Sequence, residues 1–161
     1  MSRLLEDVTA ELSKLPGIGR RTALRLAMHL LRMDVASVQD MTSSIDRFRT
    51  QIRHCKLCNN LSDTDICPIC SDARRDHSTV CVVEQVSDVL SIENTRQYGG
   101  IYHVLGGVIS PMQGIAPSDL KIDMLVEKVA SGSVREVILA ISTSVEGETT
   151  LFYIMNRLKQ Y

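Results

Sequence analysis

Four of the five cysteines crowd one short window, Cys55, Cys58, Cys67 and Cys70, in the pattern C-x2-C-x8-C-x2-C. Each C-x2-C pair can turn two thiolates toward one point, and two such knuckles supply four sulfurs for tetrahedral Zn²⁺. Four ligands fill the coordination sphere and leave no position for a catalytic water, so the ion is structural, one per chain. The intervening NNLSDTDI is short and polar, too poor in apolar residues to order itself, and metal binding would largely fold it. Disulfides are the alternative, which a reducing cytosol opposes. A redox C-x-x-C would stand beside a βαβ unit and would not be doubled in this way. Cys81, inside the apolar run TVCVV, reads as a small buried hydrophobe.

A second constellation lies upstream. Leu15-Pro16-Gly17-Ile18-Gly19 separates two helical patterns and runs straight into Arg20, Arg21 and, one turn later, Arg25. Gly17 and Gly19 permit a tight turn whose amides face outward. The helix N-terminus that follows favours an anion, and Arg21 and Arg25, four apart, share a face. Together they make a clamp for phosphate that reads no bases, which suits a nucleic-acid backbone, single-stranded or duplex, of any sequence. The alternative is a plain helical hairpin with glycine at its bend. The pattern resembles the helix-hairpin-helix motif of DNA-binding proteins, a resemblance that also allows a role in dimerisation.

The third constellation is acidic. Glu84 ends the strand-like run Thr79–Val83, where open α/β sheets place functional groups. Asp88 follows one helical turn later, and Glu146-Gly147-Glu148 comes just after another strand, at the same expected sheet edge. Such a cluster could hold Mg²⁺ with several waters, or could be no more than exposed acids at helix starts. The arrangement resembles the Toprim fold, whose catalytic members add a later Asp-x-Asp pair. Here the only such pair, Asp63-Thr64-Asp65, falls inside the cysteine window and before Glu84, so two-metal phosphoryl chemistry is poorly supported.

These groups need elements to hold them. Of 161 residues, 44% are apolar and 23% charged, which excludes disordered and fibrous classes. No apolar run approaches the 18 or so residues that span a bilayer, and MSRLLEDVTAELSK lacks a signal-peptide core, so a cytoplasmic location without membrane contact is expected. Lys14 to Lys56 carries nine Lys or Arg against three Asp or Glu, whereas Cys81 to Tyr161 carries six against nine. Only the first part is suited to a polyanion, and the alternative is a solvated helical surface. Leu5, Val8, Leu12 and Leu15 predict a first helix stopped by Pro16, and Ala23, Leu26, Ala27, Leu30 and Leu31 a second. Ser37 is expected to cap a third, with the stripe Val38, Met41, Ile45, Phe48 and Ile52 packing on another helix of this chain or of a second copy. Beyond the cysteines the order is strand 79–83, helix 86–94, strand 100–105, a Gly/Pro loop, a helix from a Ser118 cap to Ala130, strand 136–141 and helix 147–158. This β-α-β-α-β-α order predicts a parallel sheet.

The ordered set LPGIGRRTALRLAMHLL, CKLCNNLSDTDICPIC, VCVVEQVSDVLSIE, YHVLGGVISPMQGI and SVEGETT resembles the RecR family of bacterial recombination mediators over essentially the whole chain. The fold that this implies is multi-part α plus α/β. A helix-hairpin-helix region spans 1–54, a four-Cys zinc finger 55–76 and a Toprim-like parallel βαβ domain 77–161. The resemblance implies no catalysis. It implies a nucleoid-associated protein of DNA repair that assists RecO, and in some pathways RecF, to load RecA on SSB-coated single-stranded DNA, working as a dimer or ring-like tetramer. Arg21 and Arg25 match basic residues of the family's DNA-contacting hairpin, the four cysteines match its zinc ligands, and Glu84, Asp88 and Glu146 match Toprim acids linked with partner binding. The chain is expected to lack the family's C-terminal strand and glycine-rich tail, which take part in ring assembly. Ile141-Ser142-Thr143-Ser144 also departs from the family's more usual turn. The competing readings are a Mg²⁺-dependent Toprim nuclease or topoisomerase-like enzyme, and a protein-only adaptor.

Overall fold

A computed structural model describes residues 2–161. It divides into two compact units, Met1–Gln51 and Ile52–Tyr161.

The first unit is helical. Helix α1 covers Arg3–Leu12 and α2 covers Arg20–Leu30. They pack through the small residues Thr9, Ala23 and Ala27, all buried. Ala23 and Ala27 lie one turn apart on α2, so the helices approach closely. Helix α1 ends at Leu12, before the expected stop at Pro16, because the chain from Ser13 already winds into the turn that reaches Gly17. Gly17 takes φ of 78°, a left-handed conformation that glycine adopts without strain. Helix α3 covers Val35–Gln51. Its cap is not Ser37 but Asp34, whose carboxylate accepts hydrogen bonds from the Ser37 amide at 2.8 Å and the Ser37 hydroxyl at 2.6 Å. Ser37 thus stands inside the first turn, and the anion sits at the helix's positive end. No α3 residue is buried in the chain, and Met41, Ile45 and Phe48 are exposed.

The second unit begins with two-residue strands β1 (Arg53–His54) and β2 (Leu61–Ser62), paired antiparallel, and the single-turn helix α4 (Pro68–Ser71). Strand β3 (Asp76–Val83) follows, then α5 (Val86–Thr95), β4 (Gly100–Val104), α6 (Ile122–Ala130), β5 (Glu136–Ala140) and α7 (Val145–Leu158). Strands β3, β4 and β5 form one parallel sheet in the order β4-β3-β5. The central strand is buried on both faces, which accounts for its unbroken apolar run. Val80 and Val82 pack with Leu125, Val126 and Ile154 of α6 and α7, whereas Cys81 and Val83 pack with Tyr102, Val104 and Val89 of α5. Burial pushes the Cys81 thiol pKa up, as suits an inert core residue. Ser118 does not cap α6. It lies in a 3₁₀ turn, Pro117–Asp119, and the helix begins at Ile122 after the Lys121 amide has bonded to the Leu105 carbonyl.

His103 is fully buried, and its ring Nε2–H donates to the Lys121 carbonyl at 2.7 Å. Burial first, and the positive charge of Lys128 second, lower its pKa to about 4. The unfolded chain takes up this proton near pH ~6.5 and the folded chain does not. The stabilisation is therefore complete above pH ~6.5 and is lost as pH falls toward ~4, amounting to about 3 kcal/mol. Urea unfolding across this range is expected to show the slope in the parent and to lose most of it in His103→Gln; equal slopes would contradict the assignment.

Candidate zinc centre and nucleic-acid interface

The cysteine window folds as two knuckles. In the first, the Cys55 amide donates to the Asn60 carbonyl and the Asn59 amide to the Cys55 carbonyl, with Asn59 in the left-handed region at φ 61°. In the second, Cys67 caps α4, with Pro68 at its first position, where a missing N–H costs nothing. The knuckles bring the four sulfurs within 4.8 Å of one another, all buried. A Zn–S distance near 2.3 Å sets tetrahedral sulfurs about 3.8 Å apart, so the set fits the ion without rearrangement of the fold. Amides already point at the sulfurs: Cys67 N–H donates to Cys55 Sγ at 3.3 Å and Cys70 N–H to Cys67 Sγ at 3.4 Å. Cys58 and Cys67 sulfurs lie 3.5 Å apart, within hydrogen-bond reach of each other. Hydrogen bonding from Cys58 holds the Cys67 thiol far below its ordinary range and pushes Cys58 above it. A divalent cation would displace the remaining thiol protons to solvent and hold all four sulfurs as thiolates.

The knuckles are fastened to the sheet. The Val104 amide donates to the Cys58 carbonyl at 2.8 Å, and the Asn59 side-chain amide donates to the Val104 carbonyl at 2.9 Å. Asp65 of the polar loop is held by Lys56 and Arg53, whose nearness depresses its pKa, Lys56 foremost.

At the helical bend, Arg20, Arg21 and Arg25 are all exposed, and no carboxylate pairs with them among the described residues. Gly19 is the N-cap of α2, with no side chain capping the helix start. Its φ of −78° is open to any residue, so only Gly17 depends on being glycine. Ile18 is half-buried, and its amide is spent on the Leu15 carbonyl at 3.0 Å.

The strand-end acids come to one edge, yet two of them are already occupied. Glu84 accepts the Ser142 amide at 2.6 Å and so ties the end of β3 to the loop after β5. Asp88 accepts the Gln85 amide at 2.8 Å, closing a capping box at the start of α5. Glu146 is half-buried and Glu148 exposed in the first turn of α7, which Ser144 caps through the Gly147 amide. Gly147 is pressed against this loop: a Cβ there would lie 2.1 Å from the Ser142 carbonyl oxygen. Gly147→Ala is expected to destabilise the fold by about 1–3 kcal/mol in denaturant unfolding, and an unchanged midpoint would refute this close packing.

Three features were missed by sequence reasoning: the Asn59 clamp, the tie from Glu84 to Ser142, and the buried ammonium of Lys128. Only the Gly after the third strand hinted at a close approach.

Residues 5–48 match the RecR helix-hairpin-helix family, residues 52–72 the RecR four-cysteine zinc-finger domain, and residues 78–161 the Toprim domain. The chain is 55% identical over 159 residues to the recombination protein RecR of Bacteroides thetaiotaomicron, a match that covers 99% of this chain and 78% of that relative. The chain belongs to the RecR family. Its RecR relatives in Flavobacterium johnsoniae and Amoebophilus asiaticus are 50% and 48% identical over 99% of this chain, covering 77% and 80% of their own lengths. These relatives are named as recombination proteins, not as enzymes, although the Toprim domain is present. The zinc-finger match and the four-sulfur cluster together make residues 52–72 of this RecR-family chain a zinc-binding module. No helix among the described residues is long and apolar enough to cross a membrane.

Proposed function

We propose that this RecR-family protein is a DNA-binding recombination mediator that acts in DNA repair by assembly and not by chemistry. The observation that carries the reading is the uncapped α2 start at the Gly17 bend, flanked by the exposed guanidiniums of Arg20, Arg21 and Arg25. Backbone amides and fixed cations suit phosphate of any sequence, in single-stranded or duplex DNA. By family membership the partners are RecO and, in some pathways, RecF, and the outcome is loading of RecA on SSB-coated single strands in the bacterial cytoplasm. One zinc ion per chain shapes the middle domain. We place the domain limits at 1–54, 55–76 and 77–161.

Glu84, Asp88 and Glu146 form the partner-binding edge in this reading. Against a Mg²⁺ nuclease, Glu84 and Asp88 already serve as acceptors for backbone amides, and Asp65 is paired inside the zinc loop. Assembly into a dimer or tetramer is supported by α3, whose Met41, Ile45 and Phe48 stripe is exposed. The deciding experiment is a titration of single-stranded and duplex DNA by the parent and by the Arg21→Glu/Arg25→Glu variant, with mass measured in solution with and without DNA.

A further inference from the structure

Helix α6 carries Lys128 in its last turn, and its ammonium is a puzzle. The Nζ atom is shut away from solvent and has no hydrogen-bond partner. No carboxylate pairs with it among the described residues. A lysine on a surface helix normally snorkels its charge into water. An isolated buried ammonium is costly, so a compensating negative charge is called for.

That charge is close at hand. Lys128 and Cys70 line one cavity of about 390 Å³, together with Lys56, His77, Glu127 and the Ser131–Ser133 turn. Lys56 is exposed and already paired with Asp65. Four thiolates around Zn²⁺ leave a net charge of about −2, buried, on the side of the knuckles that the cavity borders. We propose that the Lys128 ammonium is the fixed counter-charge of the zinc–thiolate centre and sets how tightly the two knuckles hold their metal. Burial lowers the Lys128 pKa, and attraction to the sulfurs opposes this, Cys70 first and then Cys58, Cys55 and Cys67. The residue is a positioning group that acts only through the metal centre.

The proposal rests on the zinc reading above, and its test separates the two. The full chain is equilibrated in a series of zinc-buffered solutions, and the free zinc concentration at which residues 53–71 gain half of their amide-exchange protection is read by mass spectrometry. Lys128→Met keeps the length and apolar stem but removes the charge; Lys128→Arg keeps the charge. The Met variant is expected to need about 10-fold more free zinc, and the Arg variant to stay within about threefold of the parent, the scale set by groups that support metal ligands from behind. Without metal, the Met variant is expected to be no less stable than the parent, because an unpaired buried charge has gone. A role limited to packing would lower metal-free stability and leave the zinc midpoint alone. Should the Met variant fail to fold at any zinc concentration, Lys128→Gln is read against the same threshold. Zinc midpoints within about twofold of the parent in the Met or Gln variant overturn the proposal. A parent that folds identically with and without zinc overturns the zinc reading instead.

Discussion

Removal of the metal by a strong chelator, or Cys67→Ser, is expected to release residues 53–71 into fast amide exchange and to lower the Tm of the second unit by at least ~10 °C. The magnitude follows from scale. Structural zinc contributes roughly 10–16 kcal/mol of apparent binding free energy, as much as the whole stability of many domains. Little else holds these residues: β1 and β2 are two residues each, α4 is one turn, and the buried side chains of the segment's own cluster are the cysteines themselves. Losing a few kcal/mol from a domain of this size shifts Tm by roughly 4–8 °C per kcal/mol. The effect is not confined to the knuckles, because Val104 receives one hydrogen bond from Asn59 and gives one to Cys58. Exchange at the end of β4 should therefore rise with that of the loop. Protection of residues 53–71 that survives complete metal removal, verified by elemental analysis, would overturn the account.

Arg21→Glu/Arg25→Glu is expected to weaken DNA binding at least ~100-fold near physiological salt, for single-stranded and duplex DNA alike. Each phosphate neutralised contributes about 0.9 to the salt slope on duplex DNA, so the parent's log–log slope should fall by about two per bound hairpin. Reversal adds repulsion to the loss. Both side chains are exposed, so the fold should change by no more than ~0.5 kcal/mol. Arg21→Lys/Arg25→Lys keeps the charge and should keep most of the affinity. Binding and salt slope that match the parent in the charge-reversed protein would remove the hairpin from DNA recognition and leave a protein-only adaptor.

The zinc ligands were legible because thiolate spacing is a local property, and so was the Pro16–Gly19 bend, which depends on φ at Gly17. The apolar run of β3 and the stripes of α1 and α2 were readable for the same reason. Helix starts were less so. Ser37 competes with Asp34, three residues earlier, and the carboxylate wins the terminus since it satisfies both the amide and the hydroxyl of Ser37. The Asp-x-x-Ser spacing was a signal that could have been used. Ser118 looked like a cap, but a tertiary bond from Lys121 to Leu105 delays the helix. For the acids, spacing told where they stand but not what occupies them: the bond from Ser142 to Glu84 spans 58 residues. Lys128 sits on an ordinary amphipathic helix, and nothing local marks its ammonium for burial.

The ties from Cys58 and Asn59 to Val104 bear on the order in which the chain acquires shape. The N-terminal helices depend on near neighbours, a topology that forms in microseconds to milliseconds, whereas pairings across 45 and 58 residues must await closure of long loops. During synthesis the arginine-bearing hairpin would thus mature first, and the metal-dependent half would complete itself only after α7 leaves the ribosome.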